Sequence, residues 1–188
     1  MTLTPQQMFE KSGAVLNGHF LLTSGLHSPV YWEKFMVLQY PEYTQELCRM
    51  MAEHYRSQNV QVVAGPTTGG IILAFEVGRQ LGVRGIFAEK KEGSQTRAFR
   101  RGFDIKPGER VLLVDDLLTT GGSVREVIAA IREKKGLLVG IAVMVDRSET
   151  GVDFGYPLFS CLRSPTIAYK PQDCPLCAAK VPLERRGA

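Results

Sequence analysis

The segment at residues 110–124 constrains the fold of this chain more than any other. It reads RVLLVDDLLTTGGSV, an apolar run followed by two carboxylates and by a turn rich in hydroxyls and glycines. The continuously apolar, partly β-branched residues 111–114 are typical of a strand buried on both faces of a parallel sheet. The turn is suited to opening a helix. The segment therefore predicts a strand, a polar turn and a helix in succession.

The polar turn offers groups that bind the phosphate of a sugar. Its members carry hydroxyls or unobstructed backbone N–H groups, and they are Thr119, Thr120, Gly121, Gly122 and Ser123. At a helix N-terminus, unpaired N–H groups and the helix dipole favour an anion. Asp115 and Asp116 are themselves anionic, so we expect them to accept hydrogen bonds from ribose hydroxyls or to hold a divalent cation. A phosphorylated ribose satisfies both halves of the segment.

Apolar strands alternate with helical segments through most of the chain. Strands are predicted at residues 61–64, 84–89 and 137–145, and helices at residues 4–16, 43–58, 71–81 and from the polar turn to residue 135. Residues 18–36 indicate a hairpin or paired strands. This alternation predicts an α/β fold with right-handed crossovers and a twisted, mainly parallel sheet flanked by helices. Ligands of such open sheets bind beyond the carboxyl ends of the strands.

Three further segments carry polar groups after predicted strands. Residues 65–70, GPTTGG, form a second turn suited to an anion. Residues 90–108 form a long polar connection typical of a functional lid, although residues 96–103 could instead form a β-hairpin with solvated arginines. The cations of this connection are Lys90, Lys91, Arg97, Arg100 and Arg101. Asp146 and Arg147 end the last buried strand, where a guanidinium suits a carboxylate or a polarised carbonyl.

Length and composition narrow the class of protein. The chain has 188 residues, 44% of them hydrophobic, and is expected to fold as one domain with a substantial core. Its net charge of +4 fits anionic small molecules better than nucleic acid, because no repeated polar and aromatic pattern marks a nucleic-acid groove. The apolar runs are too short to span a bilayer and the N-terminus carries no secretion signal, so a cytoplasmic protein without a membrane partner is expected. The glycine motifs of P-loop ATPases and of dinucleotide-binding dehydrogenases are missing from the sequence.

The cysteines leave one question open. Cys174 and Cys177 form a Cys-x-x-Cys pair in a proline-rich tail, which is not the usual context of a redox motif. A structural zinc site needs four ligands. In this interpretation Cys161, Cys48 or a partner subunit would have to supply the others.

Two stretches of the sequence resemble a known family. Residues 110–124 resemble, over their whole length, the 5-phosphoribosyl-1-pyrophosphate (PRPP) signature of type I phosphoribosyltransferases. Residues 20–32, FLLTSGLHSPVYW, resemble the N-terminal hood of the orotate phosphoribosyltransferase branch, with its Ser-Gly, its Ser-Pro and its paired aromatic residues. Many members carry a lysine where this chain has Gly69, and another is common where it has Thr23. His27 is expected to serve local structure.

The resemblance implies a type I phosphoribosyltransferase-like fold, with a hood at roughly residues 1–40 and a cysteine-containing tail at roughly residues 165–188. It implies transfer of the phosphoribosyl group of PRPP to orotate by a homodimer, with Mg²⁺ held mainly by PRPP and water rather than by protein ligands. Asp116 and Lys90 would be catalytic. The PRPP site would comprise Thr68, Gly69, Lys90, Asp115, Asp116, Leu117, Leu118, Thr119, Thr120, Gly121, Gly122 and Ser123. The orotate site would comprise Tyr31, Trp32, Thr119 and Arg147.

Two alternative functions share parts of this pattern. Adenine phosphoribosyltransferases have a very similar central signature, but residues 20–32 give that function no evident support. A non-catalytic regulator on the same fold would bind PRPP as an effector and nucleic acid through a basic face. Such a repressor is expected to bring a separate DNA-binding module, whereas the first sixty residues resemble a hood.

Overall fold

A six-stranded sheet lies at the centre of the computed structural model, which describes residues 3–22, 24–94 and 96–186. The strands are β1 (Val15–Leu21), β2 (His27–Trp32), β3 (Val62–Pro66), β4 (Arg84–Lys90), β5 (Arg97–Phe99), β6 (Arg110–Leu118), β7 (Leu137–Asp146), β8 (Leu158–Arg163) and β9 (Glu184–Arg185). The helices are α1 (Pro5–Lys11), α2 (Lys34–Leu38), α3 (Pro41–Tyr55), α4 (Gly69–Leu81), α5 (Gly122–Glu133) and α6 (Pro175–Ala178). Short 3-10 helices span Arg56–Gln58 and Pro171–Asp173.

The central sheet has the order β5-β4-β3-β6-β7-β8, and all its pairs except β4 with β5 are parallel. Successive side chains of β6 enter opposite layers of the core. Leu112 and Val114 pack on the side of α3 and α4, whereas Val111 and Leu113 pack on the side of α5. Fully burying each such side chain contributes roughly 1.5–3 kcal/mol. The predicted α/β fold with a mainly parallel sheet is therefore confirmed, and its middle strands form a firm support for the loops beyond them.

Strand β6 runs further than its apolar residues suggest. Its pairing with β7 continues to Leu118, which lies opposite Asp146. Asp115 and Asp116 consequently lie inside the strand, not after it as the sequence interpretation had it. The backbone hydrogen bonds of β7 outweigh the low strand propensity of two aspartates, so the carboxylates stand on rigid backbone.

A three-stranded sheet in the order β2-β1-β9 forms the hood together with α1 and α2. The predicted helix at residues 4–16 is wrong beyond Lys11, because Gly13 takes a positive φ of 70° and Val15 begins to pair with Trp32. The expected strand pairing within residues 18–36 is confirmed for β1 and β2, but residues 34–38 are helical. The tail closes this sheet, since β9 pairs in parallel with β1 and Tyr169 pairs with His27.

The predicted long lid at residues 90–108 is wrong in part. β5 folds back antiparallel onto β4, with Arg97 opposite Lys90, so the connection between these two strands is only residues 91–96. The alternative of a β-hairpin within residues 96–103 is also wrong in detail, because the partner of β5 is β4. Among the described residues, none of the helices is long and apolar enough to cross a bilayer.

Candidate active site

The segments that follow three parallel strands meet at one edge of the central sheet. Gly69, at the start of α4, lies so close to β6 that a Cβ added there would be 1.9 Å from Oδ2 of Asp116. The N–H of Arg147, just after β7, donates to the carbonyl of Leu118 at 2.7 Å. The turn after β6 is thus flanked by the turn after β3 on one side and by Arg147 on the other. The peptide bond between Thr67 and Thr68 in the first of these turns is cis.

The two aspartates of β6 are buried and held by protein donors. Asp115 accepts hydrogen bonds from the N–H of Asp116 at 2.8 Å and from the Ser123 hydroxyl at 2.7 Å. Burial, and then the charge of Asp116, raise the pKa of Asp115. Asp116 accepts from the N–H of Leu117 at 2.7 Å and forms an ion pair with Lys34 at 3.1 Å. Lys34 of the hood therefore places one positive charge beside the two carboxylates.

The turn after β6 and the first two residues of α5, which together we call the phosphate loop (residues 119–123), present donors to solvent. Thr119 and Thr120 are exposed. Gly121 has a φ of 80°, and a Cβ there would lie 2.7 Å from the ring of Phe154, so two independent reasons require glycine. The first N–H groups of α5 have no intrahelical acceptor and point out of its N-terminus. Ser123 can offer its backbone N–H, whereas its hydroxyl donates to Asp115.

A pocket of about 590 Å³ lies between the hood, the phosphate loop, the segment after β7 and the tail. Its lining combines threonine hydroxyls with aromatic and cationic side chains. The lining residues that matter below are Tyr31, Trp32, Lys34, Leu117, Thr119, Thr120, Arg147, Thr166, Ala168 and Arg186. Leu117 lines the pocket, whereas the side chain of Leu118 is buried in the core on the side of α5.

Arg147 and Trp32 form the most unusual pair of this pocket. Both side chains are about 6% exposed, and the guanidinium carbon lies 5.4 Å from the centre of the indole ring. Nε of Arg147 and Nε1 of Trp32 have no hydrogen-bond partner within the described ranges. Burial lowers the pKa of Arg147 to about 10, which leaves the guanidinium charged at neutral pH. Buried donors without an acceptor cost about 1–3 kcal/mol each, and a ligand with acceptor atoms would offset that cost.

Two of the five cationic side chains expected in the lid form close ion pairs with carboxylates of the same chain. Arg97 is only 7% exposed, pairs with Glu126 at 2.9 Å and donates to the hydroxyl of Thr67 at 2.8 Å. The burial of Arg97 therefore contradicts the solvated arginine of the β-hairpin alternative. Its side chain is also held by protein partners, and its hydrogen bond to Thr67 helps to hold the turn after β3. Arg101 pairs with Glu89 at 2.9 Å on the surface.

The other three lid cations lie near the hairpin of β4 and β5. Lys90 ends β4 and is exposed, as is Arg100, which follows β5. The ammonium of Lys91 lies 3.9 Å from the carboxylate of Glu133, a weak surface contact. Thr68, in the neighbouring turn after β3, is exposed as well.

Sequence reasoning missed three side chains of the site. Lys34 contacts Asp116 across 82 positions of sequence, and no motif marks it. Arg186 lines the pocket from the tail, with its guanidinium 5.9 Å from the ring of Phe20. Ser148 donates to the carboxylate of Asp146 beside the pocket. Thr23, the position of a common family lysine, lies outside the described residues.

Comparison with known proteins agrees with this geometry. Residues 36–177 match the family described as the phosphoribosyl transferase domain. The chain is 49% identical to the orotate phosphoribosyltransferase of Pelotomaculum thermopropionicum over 181 residues, covering 96% of this chain and 94% of that protein. It is 47% identical to the enzyme of the same name from Chlorobaculum parvum, over 96% of this chain and 93% of the other.

Comparison with a solved structure supports the same family at the level of the fold. The crystal structure of orotate phosphoribosyltransferase from Aeropyrum pernix superposes with a TM-score of 0.71 at 25% identity, covering 84% of this chain and 92% of that one. Family, relatives and fold agree with the pattern of strand ends described above. The chain belongs to the phosphoribosyltransferase family, in its orotate phosphoribosyltransferase branch.

Proposed function

We propose that this chain transfers the 5-phosphoribosyl group of PRPP to orotate, which gives orotidine 5′-phosphate and pyrophosphate on the route to UMP. One observation carries the proposal: Thr119 and Thr120 of the phosphate loop line the same pocket as Arg147 and Trp32, whose side chains each hold a buried donor without a partner among the described residues. The loop suits the phosphate of a sugar, and the donors suit a base that is rich in oxygen acceptors.

Orotate would occupy the side of the pocket next to the hood. It is an anion with two ring carbonyls and a carboxylate, so it offers acceptors to Nε of Arg147 and Nε1 of Trp32. Tyr31 and Thr119 line the same space and complete the proposed orotate site. Trp32 itself is packed edge-on against Phe9 at 5.1 Å, which fixes the orientation of the donor.

PRPP would lie along the sheet edge. The hydroxyls of Thr119 and Thr120 and the N–H groups of residues 121–123 would hold its 5′-phosphate. Asp115 and Asp116 would accept hydrogen bonds from the ribose hydroxyls, with the backbone of Leu117 and Leu118 beside them. Thr68 and Gly69 would face the pyrophosphate, and the exposed Lys90 would approach it from the end of β4.

Catalysis would consist mainly of positioning and electrostatics. When the bond to pyrophosphate breaks, positive charge develops on the ribose and negative charge on the leaving group. Asp116 would stabilise the ribose charge, while Lys90 would stabilise the growing charge of pyrophosphate. Lys34 would move between Asp116 and the substrates, because its present ion pair lies where the ribose hydroxyls are expected.

Mg²⁺ would be the cofactor, and it would neutralise charge on the pyrophosphate of bound PRPP. The residues fit this role indirectly. The carboxylate oxygens of Asp115 and Asp116 accept from Ser123, Lys34 and backbone N–H groups, and the proposed ribose hydroxyls would take the place of Lys34, so protein ligands to the ion are not expected. The ion would reach the site with PRPP and water.

We also propose a homodimer of single-domain chains. Ile72 and Phe75 on α4 are 39% and 68% exposed, which supports an apolar contact between two copies. Light scattering should report about twice the 20.8 kDa mass of one chain. A cytoplasmic location remains a prediction, to be tested by cell fractionation.

The decisive assay offers the purified chain PRPP and Mg²⁺ with either orotate or adenine and follows ultraviolet absorbance. We expect consumption of orotate and none of adenine. Consumption of adenine alone would favour the adenine phosphoribosyltransferase alternative. Salt-dependent binding to DNA or RNA, with turnover of neither base, would favour the regulator.

A further inference from the structure

Four metal-ligating side chains converge where the tail meets the hood. His19 lies on β1, His27 on β2, Cys174 immediately before α6 and Cys177 within α6. One ligand atom from each lies within 4.8 Å of every other. His19, His27 and Cys174 are buried, whereas Cys177 is exposed and leaves a route for an ion to enter. None of these four residues lines the active-site pocket.

This cluster corrects the expectation for the missing ligands of the Cys-x-x-Cys pair. Cys48 is buried in the core, and the thiol of Cys161 donates to the carbonyl of Leu47 at 3.4 Å. The two histidines of the hood complete the set instead. The complete set of four therefore comes from one chain, without a partner subunit.

The spacing of the ligand atoms matches a tetrahedral site. With zinc–nitrogen bonds of about 2.0–2.1 Å and zinc–sulfur bonds of about 2.3 Å, tetrahedral edges are about 3.3 Å between nitrogens and about 3.6 Å between nitrogen and sulfur. Nε2 of His19 lies 3.0 Å from Nδ1 of His27. The thiol of Cys177 lies 3.8 Å and 3.3 Å from these two nitrogens, and that of Cys174 lies 3.5 Å from the first. One ion at the centre would touch all four atoms after small adjustments.

A hydrogen bond to a backbone carbonyl outside the cluster orients the imidazole of His19 for metal binding. Nδ1 of His19 lies 2.8 Å from the carbonyl of Val181, so this nitrogen must carry the proton and donate it. The lone pair of Nε2 is then directed at the cluster, which is the arrangement found behind many metal-bound histidines. The backbone of His27 is likewise fixed, because its N–H and carbonyl pair with Tyr169 at 2.9 Å and 2.8 Å.

We propose that His19, His27, Cys174 and Cys177 bind one structural Zn²⁺ ion that fastens the tail to the hood. Two thiolates and two imidazoles in a closed tetrahedron are ligands that zinc prefers, and they leave no open position for a substrate. Two thiolates also balance the charge of the ion, so the partly buried complex is neutral overall.

The ion would lie outside the active-site pocket but would fix the position of one wall of it, because it would hold the tail against the hood. The tail contributes Thr166, Ala168 and Arg186 to the lining, and its contacts with the hood include the two-residue strand β9 and the bridge at Tyr169. Short strand contacts of this kind give a terminal segment little stability alone. Zinc binding would supply the missing stability, since the free energy of metal binding adds to that of folding.

The first test measures metal content in untagged protein expressed in zinc-supplemented medium and purified without chelators. We expect about one zinc per chain by inductively coupled plasma mass spectrometry. The double variant Cys174→Ser/Cys177→Ser should fall below about one tenth of that. Cys161→Ala is the matched control, because it removes a cysteine outside the cluster and should keep the wild-type zinc content.

A second measurement protects the test against a variant that fails to fold. Wild-type protein reconstituted with Co²⁺ should show the intense visible bands of tetrahedral cobalt and a thiolate charge-transfer band, both of which zinc should displace. Removing zinc with a chelator should speed proteolysis within residues 165–186, and added zinc should reverse this.

Zinc below about one tenth per chain in wild type would overturn the proposal, as would octahedral cobalt spectra. A Cys174–Cys177 disulfide in freshly purified protein would do the same. Unchanged zinc content in the double variant would place the ion elsewhere and refute the assigned ligands. These outcomes are independent of turnover, so they leave the proposed transferase activity untouched.

Discussion

Replacing Arg147 by methionine separates binding of orotate from stability of the fold. Methionine keeps an unbranched side chain of similar length and removes the charge and the Nε donor. Burial lowers the pKa of Arg147 to about 10, so holding the charged guanidinium in the substrate-free pocket costs free energy.

An anionic base that accepts from Arg147 would offset this cost, so the loss on mutation can be estimated. A hydrogen bond to a charged group contributes about 1.5–3 kcal/mol, which predicts a 10- to 150-fold fall in kcat/KM for orotate, with about threefold or less change for PRPP. The free energy of unfolding should be unchanged or higher, because a buried unpaired charge disappears. That gain is reduced by the lost contact with Trp32, 5.4 Å from the guanidinium.

Steady-state kinetics with each substrate varied in turn, together with urea unfolding, provide the assay. Arg132→Met is the matched control, because Arg132 also lies over an aromatic ring, that of Tyr156 at 5.7 Å, but outside the pocket. Its kcat/KM for orotate should stay near the wild-type value. If Arg147→Met keeps kcat/KM for orotate within about threefold of wild type, the assignment of Arg147 to orotate is refuted. Equal losses for both substrates would also refute it.

Three further substitutions test other parts of the account. Asp116→Asn should lower kcat about 100-fold or more without unfolding the chain, whereas Asp153→Asn on the surface should not; unchanged turnover would remove Asp116 from the catalytic set. Gly69→Ala should abolish most activity, because its Cβ would lie 1.9 Å from Oδ2 of Asp116; wild-type kinetics would contradict the close approach. Gly140→Ala should lower the free energy of unfolding by about 1–3 kcal/mol, since its Cβ would lie 2.2 Å from the ring of Tyr55. Urea titration should show part of that loss recovered in a Tyr55→Leu background, and full additivity would be the contrary result.

The middle strands of the central sheet could be predicted, because the sequence signals for them lie within short contiguous segments. The apolar run at residues 111–114 and the glycine-rich turn after it are contiguous in sequence, and each reports directly on burial or on backbone freedom. Because the carboxyl ends of parallel strands lie at one edge of a sheet, the turns after β3, β6 and β7 could also be predicted to lie close together. Two features of the sheet were not predicted: pairing with β7 extended β6 through Asp115 and Asp116, and the edge strand β8 was missed.

The contacts between the hood and the tail could not be predicted, because they depend on tertiary pairing. His19 and His27 approach each other through the register of β1 and β2, in which Leu21 lies opposite His27. They meet Cys174 and Cys177 only because the tail returns to the hood across more than 140 positions of sequence. Amphipathic spacing likewise gave no sign that Gly13 would end α1 early.

The most direct test of the proposed active site is a crystal structure of the chain with orotidine 5′-phosphate. We expect the 5′-phosphate within hydrogen-bond distance of the N–H groups of residues 121–123, the ribose hydroxyls beside Asp115 and Asp116, and the pyrimidine against Arg147. Orotidine 5′-phosphate bound with its phosphate at the turn after β3, or with its base away from Arg147, would contradict the account.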